Sequence, residues 1–158
     1  MSDSDKQQIW KLREVTRVDQ KAVEAHLLRL DHSDRVMRFC GSVSEQNVAS
    51  LLRTLDWHRS VFLGCFVDGV LRGLVHVAEI PETDRETEFA VSVERAFQRS
   101  GMATDLVQAA LRLAKRRGAK AMTMVAMLEN APMKKLATKL GFDVIDRDTQ
   151  LIGRLAWP

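Results

Sequence analysis

Tyrosine is absent from the 158 residues, so no phenol can move a proton in whatever chemistry this chain performs. Cysteine is scarce: Cys40, in "RFCG", and Cys65, in "FLGCFV", are the only two. They lack CxxC spacing and sit in apolar surroundings, which argues against a disulfide framework or a thiolate metal centre. Both are expected as buried, reduced thiols of a cytoplasmic protein. No apolar run of about 18 residues exists, so no membrane span is expected. The opening "MSDSDKQQ" is polar and acidic, without the apolar core of a signal peptide. Residues 1–7 are expected as a flexible tail and 8–158 as one domain. Repeats, low-complexity tracts and linkers are missing as well. His26 and His32 flank a helix end and His58 opens a strand; none has metal-ligand company, and no metal is expected.

What is present is a soluble, globular composition, 46% hydrophobic and 28% charged, with an uneven charge distribution. From Leu111 to Leu140 eight basic residues (Arg112, Lys115, Arg116, Arg117, Lys120, Lys134, Lys135, Lys139) face one acid, Glu129. That block is +7 within a net charge of +3, leaving −4 elsewhere. A solvated helix face, a nucleic-acid surface and a small-polyanion site all fit such a block.

Apolar periodicity orders the chain. "IWKLREVTRV" reads as a strand, and Asp19 can cap a helix that turns Val23, Leu27, Leu28 and Leu30 inward. "HSDRVMRF" reads as a short helix. Ser44 opens another that runs to about Trp57. Asp68 and Gly69 separate two strand-like runs, a hairpin signal, and "ETEFAVSVE" is a further strand. "MATDLVQAALRLAKRRG" is a helix with Met102, Leu106, Ala110, Leu113 and Ala114 on one face and Gly118 at its end. "KAMTMVAM" is a buried strand. "NAPMKKLATKLG" is a helix capped by Asn130, with Pro132 in its first turn and Gly141 after its last. One or two strands close the chain. A three-strand meander followed by helix-linked crossovers implies a mixed α/β sheet with helices on both faces.

Between the meander and the long helix lies "SVERAFQRSGMATDL". The first amides of a helix have no intrahelical partner, and the helix dipole favours an anion there. Gly101 and Ala103 leave the backbone approachable, and Arg99 adds charge. On local pattern alone, an anion-binding loop and an ordinary tight turn both remain open.

The wider pattern from about Thr87 to Phe142 resembles the acetyl-CoA signature of the GNAT acetyltransferase superfamily. It comprises a strand, Gln98-Arg99-Ser100-Gly101-Met102-Ala103, a long helix, a strand and "ENAPMKKLATKLGF". The resemblance implies a central, mixed but mostly antiparallel sheet of six to seven strands. It also implies that amides of residues 98–104 (Gln98 to Thr104) hold the pyrophosphate of acetyl-CoA. By the same resemblance Val91 and Val93 pair with the pantetheine through their backbone, and Asn130 contacts that arm. "TEFAVSVERAFQRSGMA" and "LDHSDRVMRFCG" are similar to stretches of bacterial Pat-type protein lysine acetyltransferases. Arg99 stands where those carry glycine, and Val36 and Cys40 where they carry aromatics.

Acetyl transfer to an amine needs that amine neutral. A free lysine, with pKa about 10.4, is about 4.6 kcal/mol from neutrality at pH 7, whereas a thiolate leaving group is only about 2 kcal/mol from its own pKa. The base therefore matters more than the acid. Glu88 matches the Pat-type glutamate that acts as base, and strand alternation gives it a face with the small residues Ala90 and Ser92. Glu86 is its competitor. Ala137 occupies the slot where many GNAT enzymes carry a tyrosine acid, and Thr138 faces about 100° away. His76 either lines the cleft or is half-buried in the core. Arg35 and Arg38 either meet an acidic substrate or form a solvated face. Lys134 and Lys135 could approach CoA phosphates, while Lys115, Arg116 and Arg117 complement a helix dipole.

The expectation is an acetyl-CoA-dependent N-acetyltransferase acting on a protein lysine, or on a small-molecule amine. The alternative is an acyl-CoA-binding sensor without turnover. Neither nucleic acid nor membrane is an expected partner, and the oligomeric state, a dimer included, stays open.

Overall fold

Asp68 and Gly69 both adopt left-handed backbone, with φ of 49° and 78°, as a two-residue hairpin turn requires. They join β2 (Ser60–Val67) to β3 (Val70–Glu79), and β3 returns antiparallel into β4 (Glu86–Val93). This meander is the centre of a seven-stranded sheet in a computed structural model that describes residues 9–41 and 43–158. The tail expected over residues 1–7 lies outside the described residues.

The remaining strands are β1 (Lys11–Val15), β5 (Ala121–Met127), β6 (Asp143–Arg147) and β7 (Gln150–Ala156). The order across the sheet is β1-β2-β3-β4-β5-β7-β6. Every pair is antiparallel except β4 with β5. The expected mixed, mostly antiparallel sheet is therefore present.

Helices cover both faces. On one side α4 (Met102–Arg116) and α5 (Ala131–Lys139) enclose a core that includes Val75, Phe89, Leu106, Met122 and Ala137. On the other, α1 (Gln20–Arg29) and α3 (Glu45–Arg53) bury Val23, Leu27, Val48, Leu52 and Phe62. Between them in sequence, α2 (His32–Phe39) has no buried residue and packs across β4 and β5. No helix among the described residues is long and apolar enough to cross a membrane.

Three expectations need correction. Asp19 stands at the N-cap of α1 but makes no capping bond. Its carboxylate instead accepts from the Thr16 amide and from Arg13, both at 3.0 Å, because a 3₁₀ turn over Arg17–Asp19 precedes the helix. Leu28 is partly buried against the same core as Val23, Leu27 and Leu30, as expected, and His26, not expected there, joins them with no exposed surface. Helix α3 stops at Arg53, short of Trp57. Cys65 is buried as expected, but Cys40 is exposed, since it ends α2 in left-handed backbone with φ of 53°.

Candidate active site

Helix α4 begins where the chain leaves regular hydrogen bonding. After a 3₁₀ turn at Arg95–Phe97, Arg99 and Gly101 are both left-handed, with φ of 59° and 90°. The first bond into the helix is Asp105 N–H to Gly101 C=O at 3.0 Å. Consequently the backbone N–H groups of Arg99, Ser100, Gly101, Met102, Ala103 and Thr104 have no partner among the described residues. Six successive free donors at a helix N-terminus form an anion cradle. Nothing lies within 4 Å of where a Gly101 Cβ would stand, so the approach is open. The side chain of Gln98 is not free: its amide nitrogen Nε2 donates to Val93 C=O at 3.0 Å and to Asp34 at 3.1 Å, tying the loop to β4 and α2. The first turn of α4 lies tightly on the sheet because β3 carries Gly73 there; a Cβ would stand 2.7 Å from Met102 Sδ.

The same loop opens onto a gap in the sheet. β4 and β5 run parallel but pair only at Glu86–Ala121, Thr87–Met122 and Glu88–Thr123. Beyond Glu88 they part, and the β5-side edge of β4 from Phe89 to Val93 is left without a strand partner. Val91 and Val93 lie on this free edge, which ends about 17 Å from Glu88 at the cradle. Asn130, at the far side of the gap, caps α5 by accepting the Met133 amide at 3.2 Å. Its side-chain nitrogen, Nδ2, has no partner among the described residues, whereas its backbone N–H donates to Met127 C=O at 3.0 Å.

Glu88 marks the apex of the gap. With Ala78 opposite it, and His76 opposite Ala90, it shares the α2-side face of the sheet. Its carboxylate has no hydrogen-bond or ion-pair partner among the described residues. Although solvent reaches it, desolvation by the surrounding protein raises its pKa, and Arg38 partly opposes the rise. Glu86 differs: Arg154 holds it at 2.7 Å. Of the two carboxylates, only Glu88 is free to accept a proton.

His76 is half-buried. It is stacked on Phe62 at 4.2 Å and hydrogen-bonded to Ser60 at 2.9 Å. Burial, helped by the charge on Arg38, lowers its pKa to about 4, so it faces the cleft as neutral imidazole. The two arginines of α2 part company. Arg35 turns inward and donates to Leu28 C=O at 2.9 Å, so it is neither a substrate contact nor a solvated side chain. Arg38 is half-buried, lies over the Phe39 ring at 4.7 Å, and makes no hydrogen bond or ion pair among the described residues. Burial lowers its pKa to about 10, against the pull of Cys40 and Glu88.

The tyrosine slot, Ala137, has no exposed surface and belongs to the core. Thr138 donates to Lys134 C=O at 2.8 Å. Neither offers a proton to the gap. Lys134 lies 3.9 Å from Asp146 of β6, while Lys135, Lys115 and Arg116 are exposed. A separate cavity of about 290 Å³ near the C-terminal end of α4 is lined by Arg59, Val77, Glu86, Leu113 and Arg117 among others. It reaches Glu86 and Thr87 of β4 but is lined neither by Glu88 nor by the cradle residues, and its size alone gives it no part in this site.

A buried network behind β4 escaped the sequence reading. Glu94 accepts from His26 Nδ1 at 3.0 Å, Arg29 Nε at 3.0 Å and Arg72 Nη1 at 2.9 Å. Ser92 Oγ lies 2.8 Å from His26 Nε2. Burial is the largest influence on Glu94 and would raise its pKa, but the bonds from His26, Arg29 and Arg72 together hold it at about 2. Desolvation lowers the His26 pKa despite Glu94. The ring is then neutral, donates from Nδ1 to the carboxylate and accepts from Ser92. This hydroxyl–imidazole–carboxylate chain is sealed, with Ser92 7% and Glu94 6% exposed; it clamps α1 to the strand that carries Glu88. The one sequence signal that could have found it is the spacing of His26 from Val23 and Leu30, three and four residues away, which puts it on the inward face of α1.

Residues 26–142 match the acetyltransferase (GNAT) family. Over 155 residues the chain is 31% identical to Acetyltransferase PA5475 of Pseudomonas aeruginosa, a match covering 92% of this chain and 82% of that protein. Among solved structures, the GNAT domain of S. lividans PAT superposes with a TM-score of 0.81 at 19% identity, covering 94% and 90% of the two chains. YncA of Salmonella typhimurium, solved with its cofactor acetyl-CoA, superposes with a TM-score of 0.72 at 18% identity, covering 94% of each. With the free amides, the parted strands and the unpaired glutamate already located along β4, these matches identify the chain as a member of the GNAT acetyltransferase family.

Proposed function

We propose that this chain is an acetyl-CoA-dependent N-acetyltransferase that acts on a protein lysine with Glu88 as general base. Family membership supports acetyl transfer. The observation that carries the finer reading is the alignment along β4: an unpaired carboxylate where the strand loses its neighbour, and six free amides just beyond its far end.

The cleft fits the cofactor. Amides 99–104 would hold the diphosphate, with the Arg99 side chain adding charge. The free edge at Val91 and Val93 would align the pantetheine arm, and the Asn130 amide nitrogen would donate to it. When bound, acetyl-CoA supplies an activated acetyl thioester. Glu88, its pKa raised by desolvation, accepts the proton from the acceptor amine, directly or through one water, and so removes the largest obstacle to attack. Neutral His76 leaves that proton on Glu88. With no tyrosine in the sequence, solvent returns a proton to the departing thiolate.

The burial of Ala137 gives a second reading some weight: a GNAT-fold acyl-CoA sensor that lacks turnover. A small-molecule amine is the alternative acceptor. Calorimetry with acetyl-CoA, combined with acetylation of lysine peptides and amines by the wild type and Glu88→Gln, separates these readings. Intact binding with lost turnover in the variant supports the proposal. Unchanged acetylation removes Glu88 from catalysis, and a wild type that binds but acetylates nothing favours the sensor.

A further inference from the structure

Arg38, at the Glu88 end of the site, has no hydrogen-bond or ion-pair partner among the described residues. It is half-buried on α2, the helix laid across β4 and β5, and it lies within electrostatic reach of Glu88, Cys40, His76 and His26. Neighbouring arginines have partners. Arg29 and Arg72 bind Glu94, Arg35 binds backbone carbonyls, with Nε of Arg35 and of Arg72 left over, and Arg95 pairs with Asp31 at 2.7 Å. Arg38 has only the Phe39 ring. Its guanidinium is half-buried and its donors have no protein acceptor, so they are free for a ligand, and their planar arrangement matches a carboxylate. Glu88 is near but forms no ion pair with it, so Arg38 is not neutralised by the base. Neutral His76, Ala78 and Ala90 share with Glu88 the sheet face on the α2 side.

We infer that Arg38 is a specificity-determining residue that binds a carboxylate on the acceptor, close to the amine whose proton Glu88 takes. The carboxylate is either the acceptor's own α-carboxylate or an acidic side chain flanking a target lysine. This inference rests on the acetyltransferase reading, because it assigns the acceptor end of the same cleft. It adds that acidic acceptors are selected and that their amide counterparts are refused.

Two matched pairs test it: lysine against lysinamide, and the capped dipeptide Glu-Lys against Gln-Lys. Each pair is compared by kcat/KM and by calorimetric binding to the CoA-loaded protein, in the wild type, Arg38→Gln and Arg38→Lys. The wild type is expected to prefer the carboxylate form at least tenfold in one pair, and that pair identifies the source. Arg38→Gln is expected to abolish the preference while acetyl-CoA affinity holds, and Arg38→Lys to restore part of it. Turnover without preference overturns the inference and leaves the acetyltransferase reading standing. Carboxylate-selective binding without turnover does the reverse. A wild type lacking both overturns both, as does for Arg38 a preference that persists in Arg38→Gln.

Discussion

Replacing Glu94 by glutamine keeps the shape of the side chain and removes the charge on which His26, Arg29 and Arg72 converge. Two routes give the magnitude. Holding a glutamate at about 2 rather than about 4.3 corresponds to about 3 kcal/mol of stability near neutral pH. Breaking a buried ion pair typically destabilises by about 3–5 kcal/mol. That range is reduced here because the Arg29 and Arg72 side chains are 36% and 28% exposed and can regain water. A loss of about 2–4 kcal/mol is expected, equivalent to a fall in Tm of about 5–15 °C for a chain of this size. The pH dependence gives a sharper test. Because the folded pKa lies below the unfolded one, the carboxylate's contribution is complete above about pH 5 and disappears as pH falls towards 2. Urea denaturation followed by tryptophan fluorescence at pH 7, 5 and 3 should show the gap between wild type and Glu94→Gln narrowing with acidification. A gap under 1 kcal/mol at pH 7, or one that does not change with pH, would refute the assignment of Glu94 as the charged centre of the clamp.

Three further outcomes are expected. Glu88→Gln should lower kcat by about 10²- to 10³-fold with acetyl-CoA affinity retained. The wild-type pH–rate profile should show an acidic limb above the ordinary glutamate pKa, since activity requires the deprotonated carboxylate, and the variant should lack it. Gly101→Ala forces a side chain into φ of 90° at about 1–2 kcal/mol; calorimetry should find acetyl-CoA binding weakened, by up to about tenfold, although the Cβ meets no atom. Gly73→Ala instead overpacks against Met102 and Leu106, so thermal denaturation should report a loss of about 1–3 kcal/mol, and displacement of the first turn of α4 should weaken cofactor binding as well.

Local rules made much of the chain legible in sequence. Asp68-Gly69 specifies its hairpin because both positions need positive φ. Asn130 and Gly141 bound α5, the first by capping and the second by its left-handed φ of 92°. The run from Gln98 to Thr104 announces free amides because any helix start leaves them. Those features depend on neighbours in sequence, and a mixed, mostly antiparallel sheet of six to seven strands follows from them together with the family resemblance. What the sequence could not convey were pairings between distant segments. Cys40 looks apolar in context, yet a left-handed cap turns it to solvent. Glu86 and Glu88 share a strand face, and only Arg154, 68 residues from Glu86, distinguishes them by engaging one. His26 reads as an ordinary helix-end residue until Ser92 and Glu94 meet it across 66 and 68 residues of chain. Sequence alone determined where amides would be free and which faces would be apolar, because backbone geometry and side-chain period are short-range. Tertiary structure alone decided which charges would be satisfied, because desolvation and pairing depend on what folding brings within a few ångströms; Glu88 and Arg38 are the two that it left open to a ligand.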